Sequence, residues 1–405
     1  MKKYISILLV ATAFFALSSC TCKTPEAGTP DAKYIFFFIG DGMGAPHVAA
    51  TEAYLSAKEG QFGGGQVGFA NFPILGMITT YSASNNITDS AAGGTALATG
   101  FKAKNGQLGV TPDGTEVNSI AYILQNDFGY NVGVFSSVPV NHATPAAYYA
   151  HNKKRSDYYN ITKQIPEAGY KFYGGSGILQ FDGPKHDKDS EKMLVESGYS
   201  VAFGQTEFEE AVSNGADRIV MLANPVEEHR TSVANYAAET DSLVALSQMM
   251  KDCISFLGDK KPFFIMCEGG EIDWFAHGHK SLPMIDAILK MDDAVSVAYE
   301  FYLAHPDETL IIVTADHETG GLTIGNGGYM YHIEELDKQN NTAEGVWNLS
   351  REQENELNAK AGLGWTSYDH TGAPVPVYAI GKGAEKFSGR YDNTDIVKKL
   401  LNISK

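Results

Sequence analysis

Cysteine is scarce in this chain: four in 405 residues, Cys20, Cys22, Cys253 and Cys267. No pair has the C-x-x-C spacing of a redox or zinc-binding motif. Cys253 falls in a helical pattern and Cys267 in an apolar strand, so both are expected free and buried. Positive charge is also short, with 31 Lys and Arg against 48 Asp and Glu and a formal net charge of −17. That balance argues against a nucleic-acid-binding surface. It leaves a small anionic substrate open, because bound metal ions reverse the sign of a local field. Beyond the N-terminus no second long apolar segment occurs, and there is no internal repeat or low-complexity tract.

What is present is a core-forming composition, 43% hydrophobic, long enough for one large α/β domain. Lys2 and Lys3 precede an apolar stretch from Ile5 to Leu17, too short for a stable membrane span. Residues 1–20 therefore read as a signal peptide. Leu17-Ser18-Ser19-Cys20 resembles a bacterial lipobox, which predicts cleavage before Cys20 and its lipidation. The protein is then exported and held at the cell envelope, meeting the membrane only through this anchor. Residues 21–31 read as a tether and 32–405 as one domain, with 325–365 as an inserted excursion.

Several short apolar runs read as buried strands: Lys33 to Ile39, Gly76 to Tyr81, Asn131 to Ser136, Arg218 to Leu222, Pro262 to Cys267, Leu310 to Ala315 and Val375 to Ile380. Helical patterns run from His47 to Lys58, from Ala237 to Leu257, from Leu282 to Leu303 and from Thr394 to Leu401. A helix also leads from Pro145 towards Arg155. Alternating strands and helices predict an α/β fold, a large mostly parallel sheet with helices on both faces. Such sheets bind ligands outside the carboxyl ends of their strands.

The chemistry-bearing residues fall at those ends. Asp41, Glu268, Asp273, Asp316-His317 and His370 each follow a strand or lie just beyond one. His277 comes one helical turn after Asp273, so both side chains can face one ion. Mixed His and Asp ligands suit zinc, and a site of carboxylates and hydroxyls suits magnesium. Thr88-Asp89-Ser90-Ala91-Ala92 has the pattern of a capped helix start, where free N–H groups favour an anion. The small residues after Ser90 let a substrate approach closely.

Together these motifs resemble the alkaline phosphatases, metal-dependent phosphomonoesterases with a serine nucleophile. The likeness runs from Tyr34 to Leu401. It rests on Phe38-Ile39-Gly40-Asp41-Gly42-Met43-Gly44, Thr88-Asp89-Ser90-Ala91-Ala92, Ala143-Thr144-Pro145-Ala146-Ala147, Glu268-Gly269-Gly270-Glu271-Ile272-Asp273, Thr314-Ala315-Asp316-His317-Glu318-Thr319-Gly320-Gly321 and His370-Thr371-Gly372. The resemblance implies two Zn2+ and one Mg2+ per chain. It makes Ser90 the nucleophile. Asp273, His277 and His370 would hold the first zinc. Asp41, Asp316 and His317, with the Ser90 oxygen, would hold the second. Asp41 would bridge to a magnesium completed by Thr144 and Glu268. Arg155 matches the phosphate-binding arginine, and Asp89 would orient it. Three divalent ions and Arg155 outweigh four carboxylates and a serine alkoxide, which favours a dianionic phosphate monoester among small phosphorylated substrates.

Two positions depart from the best-known bacterial pattern. His142 stands where that pattern has an aspartate near the magnesium. Trp274 stands where it has a lysine near the phosphate, which predicts weaker phosphate retention. Glu271, His279 and Glu318 have no role in the pattern and read as solvated or as supports for the ligands. His47 and His151 read as structural, helix-borne residues. Family members are commonly homodimers, so a homodimer is expected. The alternative activities are a phosphodiesterase or sulfatase of the same superfamily, and a non-catalytic phosphate-binding lipoprotein. Related diesterases usually carry threonine as nucleophile, and sulfatases need a Cys/Ser-x-Pro-x-Arg context that Ser90-Ala91-Ala92 lacks; a pure binder would not need Ser90, Arg155 and the zinc ligands intact.

Overall fold

A computed structural model describes residues 28–180, 189–222, 244–328, 332–339 and 349–403. The signal-peptide reading, Cys20 and Cys22 lie outside the described residues. The last part of the expected tether is packed: Asn402 Nδ2 donates to the Thr29 carbonyl at 2.7 Å, and Lys386 pairs with Asp31.

The strands, in chain order, are β1 (Tyr34–Gly40), β2 (Ile74–Thr79), β3 (Asn131–Ser136), β4 (Phe172–Gly175), β5 (Ser200–Phe203), β6 (Ile219–Leu222), β7 (Phe263–Gly269), β8 (Thr309–Thr314), β9 (Glu318–Thr319), β10 (Thr323–Ile324), β11 (Leu363–Gly364), β12 (His370–Thr371), β13 (Val375–Gly381) and β14 (Gly389–Asp392). Ten of them form one sheet in the order β14-β2-β13-β8-β1-β7-β3-β4-β6-β5. Only β13 runs against the rest, pairing antiparallel with β8 and β2. The mostly parallel sheet is thus as the apolar runs imply.

The central strand β1 is buried along its whole length, because both faces are covered. Successive side chains of a strand point to opposite faces. Phe36 meets Phe301 of the long helix Ser281–Ala304 at 5.6 Å between ring centroids. Its neighbour Phe37 meets Tyr148 on the other face at 6.3 Å. Cys253 and Cys267 are free and buried, as expected.

Several boundaries differ from the sequence reading. The first edge strand is Ile74–Thr79 rather than Gly76 to Tyr81, because its pairing with β13 begins at Ile74. The helix expected from Ala237 begins at Leu246, with Ala245 extended at φ −61° and ψ 147° as its cap. The part of that expectation over residues 237–243 lies outside the described residues. The helix expected to run towards Arg155 is a single turn, Ala143–Ala146. The chain then extends, so that Asn152 bridges Leu108 and Arg155 N donates to the Gly106 carbonyl at 2.8 Å.

Within the 325–365 stretch the described parts are a 3-10 turn, Ile333–Gln339, and a helix, Arg351–Ala361, with a Ser350/Gln353 capping box. Glu354 on this helix is buried, and neither carboxylate oxygen has a hydrogen-bond partner among the described residues. Burial holds its pKa up to about 7, against an opposing pull from Lys280. A carboxyl raised in the folded state costs stability as pH climbs above its unfolded value. Replacing it by Glu354→Gln removes that cost. Unfolding in urea at several pH values should show the variant gaining on wild type by ~1 kcal/mol between pH 5 and 8. A constant difference between the two would contradict this.

Candidate metal centre

The register of the central strands gathers the site. In β7, Glu268 lies opposite Ile39 of β1 and Ser136 of β3. In β8, Thr314 lies opposite Ile39. Asp41, Glu268 and Asp316 therefore emerge in one row at the same edge of the sheet. Asp41 leaves β1 with its N–H donating to the Gly269 carbonyl at 3.2 Å. The Asp316 carboxylate accepts the N–H groups of Gly42 at 3.2 Å and His317 at 3.1 Å. Gly42 is required here, since φ is +70° and a Cβ would lie 2.6 Å from Thr319 Oγ1.

Ser90 opens the helix Ser90–Thr99, which is buried throughout. Asp89 is its N-cap and accepts from Ala92 N at 3.0 Å. The small residues of this helix are spatial requirements as well as helix formers. A Cβ on Gly93 would sit 2.9 Å from the Asp316 carbonyl oxygen. Ser90 Oγ lies 3.2 Å from His317 Nε2 and 3.4 Å from Asp41 Oδ1.

Two groups of potential ligand atoms each fall within 4.8 Å of one another: Asp41, Asp316 and His317, and Asp273, His317 and His370. His277 adjoins the second group, its Nε2 3.2 Å from His370 Nε2 and 3.4 Å from Asp273 Oδ2. His277 shares the short helix Glu271–His277 with Asp273, one turn on. His370 arrives on β12, which pairs antiparallel with β9 directly after His317. The histidines are aimed by their second nitrogens. His370 Nδ1 faces the Thr88 carbonyl at 2.8 Å and His277 Nδ1 the Tyr368 carbonyl at 2.5 Å. Each Nε2 is thereby left to the cluster.

A third group lies beside Asp41. Glu268 accepts a hydrogen bond from Ser136, and Thr144 Oγ1 donates to Asp316 Oδ2 at 3.4 Å. Ser136 had no place in the sequence reading. Its only signal was its position at the end of an apolar strand.

The charges are out of balance without a cation. Burial, with Asp316 and Asp273 nearby, pushes Asp41 well above the carboxylate range. Burial holds Asp316 up to about 8 and Glu268 up to about 7. Burial would raise Asp273 too, but His277, His317 and His370 outweigh it and hold its carboxyl low. His277 is raised in turn to about 9 by its hydrogen bond with Asp273, against the opposing effect of burial. Asp41 Oδ2 and Glu268 Oε1 are buried with no hydrogen-bond partner among the described residues. Buried carboxylates left this way fit bound metal ions, which would complete them. The donor chemistry fits as well. Imidazole and carboxylate at the first two groups suit zinc, and carboxylate with hydroxyl at the third suits magnesium.

Arg155 is tied to the cap of the helix that carries Ser90. Its Nη1 donates to Asp89 Oδ2 at 3.1 Å, and its Nη2 lies 3.4 Å from His142 Nε2. Burial and Arg155 push His142 down to about 3, so it stays neutral. Trp274 meets His142 edge-on at 5.4 Å.

Three residues read as solvated or supporting are buried. Glu271 is held up to about 8 by burial. His279 stacks on Tyr368 with ring centroids 3.9 Å apart. Glu318 accepts from Gly321 N at 2.9 Å and from Thr371, tying β9 to β12. His47 is helix-borne and buried. His151 is not on a helix; its Nδ1 faces the Gly109 carbonyl at 2.8 Å.

The family model described as alkaline phosphatase matches residues 32–176 and 228–405. Alkaline phosphatase 4 of Bacillus subtilis (strain 168) is 31% identical over 423 residues, covering 93% of this chain and 90% of the relative. The solved alkaline phosphatase of the Antarctic bacterium TAB5 superposes with a TM-score of 0.74 at 29% identity, over 92% of this chain and 98% of that one. A variant of the TAB5 enzyme, solved with Mg bound, gives a TM-score of 0.75 at 28% identity and the same coverage.

Proposed function

The chain belongs to the alkaline phosphatase family, and on that premise we propose that it hydrolyses phosphate monoesters through a phosphoserine on Ser90, with two zinc ions and one magnesium ion. The observation that carries this reading is the position of Ser90 Oγ, 3.2 Å from His317 Nε2 and 3.4 Å from Asp41 Oδ1, beside carboxylate oxygens that have no partner among the described residues. Asp273, His277 and His370 would hold the first zinc. Asp41, Asp316 and His317 would hold the second, and Asp41, Thr144 and Glu268 the magnesium. When bound, such a zinc pair lowers the pKa of a coordinated hydroxyl and screens charge on attacking and leaving oxygens.

The residues of the chain supply the rest. Ser90 Oγ bonds to phosphorus as the ester P–O bond breaks, and the serine proton ends on the departing alcohol. Water then attacks phosphorus and the Oγ–P bond breaks, which returns the serine and releases inorganic phosphate. Arg155 presents its planar fork to two phosphoryl oxygens. Asp89 does two things at once: Oδ1 caps the helix that carries Ser90 and Oδ2 holds Arg155. Nucleophile and phosphate clamp are therefore fixed relative to each other by one carboxylate. His142, its Nε2 3.4 Å from Arg155 Nη2, supports Arg155 without adding charge, and Trp274 packs against His142. The same proposal places the reaction at the cell envelope, with the mature chain held by a lipid on Cys20.

The test is a comparison of p-nitrophenyl phosphate, bis-p-nitrophenyl phosphate and p-nitrophenyl sulfate near pH 9, with metal content measured on the same sample. The monoester should be turned over fastest, with about two zinc ions per chain. Faster turnover of the diester or the sulfate would overturn the substrate assignment.

A further inference from the structure

One side chain touches potential ligands of both zinc subsites and has no part in the reaction just described. Thr319 Oγ1 lies 2.5 Å from Asp273 Oδ1 and 3.2 Å from His317 Nδ1. Asp273 belongs to one group of ligand atoms, and His317 is the member common to both. Thr319 is also the residue paired across the β9–β12 ladder with His370. We propose that Thr319 is a positioning residue that couples the two zinc subsites through its hydroxyl. The proposal rests on the two-zinc reading above.

The direction of the bonds follows from the surroundings. His317 Nε2 faces Asp41 and Ser90, 3.2 Å from each, and it binds an ion only with a free lone pair. The ring proton then sits on Nδ1, where the acceptor within reach is Thr319 Oγ1. A hydroxyl that accepts there still has one proton to donate, and Asp273 Oδ1 receives it. Thr319 thereby sets the tautomer of His317 and the orientation of the Asp273 carboxylate. With an ion held at Nε2, the His317 Nδ1–H would be a better donor. That polarises the hydroxyl and strengthens its bond to Asp273, since chained hydrogen bonds reinforce one another.

The hydroxyl has little freedom to move. Thr319 N donates to the Gly42 carbonyl at 3.0 Å. The Thr319 carbonyl accepts from His47 Nε2 at 3.0 Å, while His47 Nδ1 accepts the Gly44 N–H at 3.1 Å. The side chain is fully buried. A Cβ on Gly42 would stand 2.6 Å from Oγ1 and 2.9 Å from Asp273 Oδ1, so the missing side chain at residue 42 is what makes room for this contact. His47, read from sequence as structural, thus acts at the site through the backbone of Thr319.

Thr319→Val keeps the branched shape and deletes the hydroxyl, and Thr319→Ser keeps the hydroxyl. The measurement is zinc affinity of the metal-free full chain, by competition with a chromogenic chelator, together with kcat and KM for p-nitrophenyl phosphate. Thr319→Val should weaken both zinc ions by roughly 10–100-fold, the scale on which partners of metal ligands act, and lower kcat more than it raises KM. Thr319→Ser should stay within about threefold of wild type on the same scale. Unchanged affinity in Thr319→Val, weakening of only one ion, or a Ser variant as impaired as the Val variant would each overturn the coupling. Wild-type chain that binds two zinc ions but hydrolyses no monoester would break the assigned reaction and leave the affinity comparison intact as support or refutation. Wild-type chain that binds no zinc would break both.

Discussion

Ser90→Ala should abolish monoester hydrolysis, lowering kcat by on the order of 10³-fold or more, as deletion of a covalent nucleophile does elsewhere. The loss should come without loss of the fold or the metals. The helix Ser90–Thr99 is capped by Asp89, not by Ser90, so its start survives the substitution. The ligand atoms of Asp41, Asp316 and His317 are untouched, and their group needs no serine oxygen to fall within 4.8 Å. The variant should therefore retain its zinc by elemental analysis and unfold within about 0.5 kcal/mol of wild type. Acid-quenched wild type incubated with phosphate ester should carry phosphate on Ser90, and the variant none. Retained turnover in Ser90→Ala would move the nucleophile elsewhere and remove the basis for the phosphoserine.

The second large effect is on stability. Stripping the metals should end activity and make the chain less stable, and the deficit should grow with pH. In the metal-free chain Asp41 is pushed well up, Asp316 to about 8 and Glu268 to about 7. Unfolded, such carboxyls ionise near pH 4. Over the interval between, the folded chain binds more protons than the unfolded one, so stability falls as pH rises. His277, raised to about 9, adds to this trend, because a histidine raised by a partner stabilises below its unfolded pKa and loses that contribution through its folded one. Asp273 is held low and contributes steadily above pH 5. Glu271 and Glu354 also lose stability with rising pH, but in both forms alike.

The difference between loaded and stripped protein isolates the site. It should widen by a few kcal/mol, roughly, between pH 6 and 9. Each ion held at a thousand times its dissociation constant adds about 4 kcal/mol, so thermal unfolding of the stripped chain should come roughly 10 °C lower. Scanning calorimetry across pH, before and after treatment with a chelator, measures both. Parallel stability curves for the two forms would contradict the placement of cations among these carboxylates.

Much of the site was legible because buried strands advertise themselves. Tyr34 to Gly40, Phe263 to Cys267 and Leu310 to Val313 are unbroken apolar runs, and the first polar group after such a run must lie at a strand end. Asp41 and Glu268 follow from that rule, and Asp316-His317 come two residues past Thr314, the first polar residue after their run. Ser90 was readable because Asp89 and small residues make a recognisable helix start. His370 was legible only through its motif, His370-Thr371-Gly372, since it sits on a strand of two residues, too short for any periodicity, whose ladder with Glu318–Thr319 places it. What stayed hidden depends on pairing between segments distant in sequence. Ser136 and Thr319 look like ordinary hydroxyls until Glu268 and Asp273 are set beside them. Glu271, His279 and Glu318 carry polar side chains that composition reads as wet. Each is buried because tertiary partners answer its polar atoms, and local sequence does not reveal those partners. His151 was misassigned because the helix after Pro145 ends within one turn, where the chain turns to bridge Leu108.

The proposed ligand set is drawn from nearly the whole length of the polypeptide, from Asp41 just beyond the first strand to His370 on the twelfth. During synthesis, a growing chain that has not yet reached residue 370 holds a partial cluster in which Asp41 and Ser90 await their partners. Contacts this remote in sequence form late and slowly. If the proposed ions bind, their loading would report that the chain is complete as far as residue 370. A truncated or stalled product lacks the histidine that pairs with Thr319 and keeps buried carboxylates it cannot neutralise. Such a product should be cleaved faster by protease than the finished chain, which bound ions would stabilise.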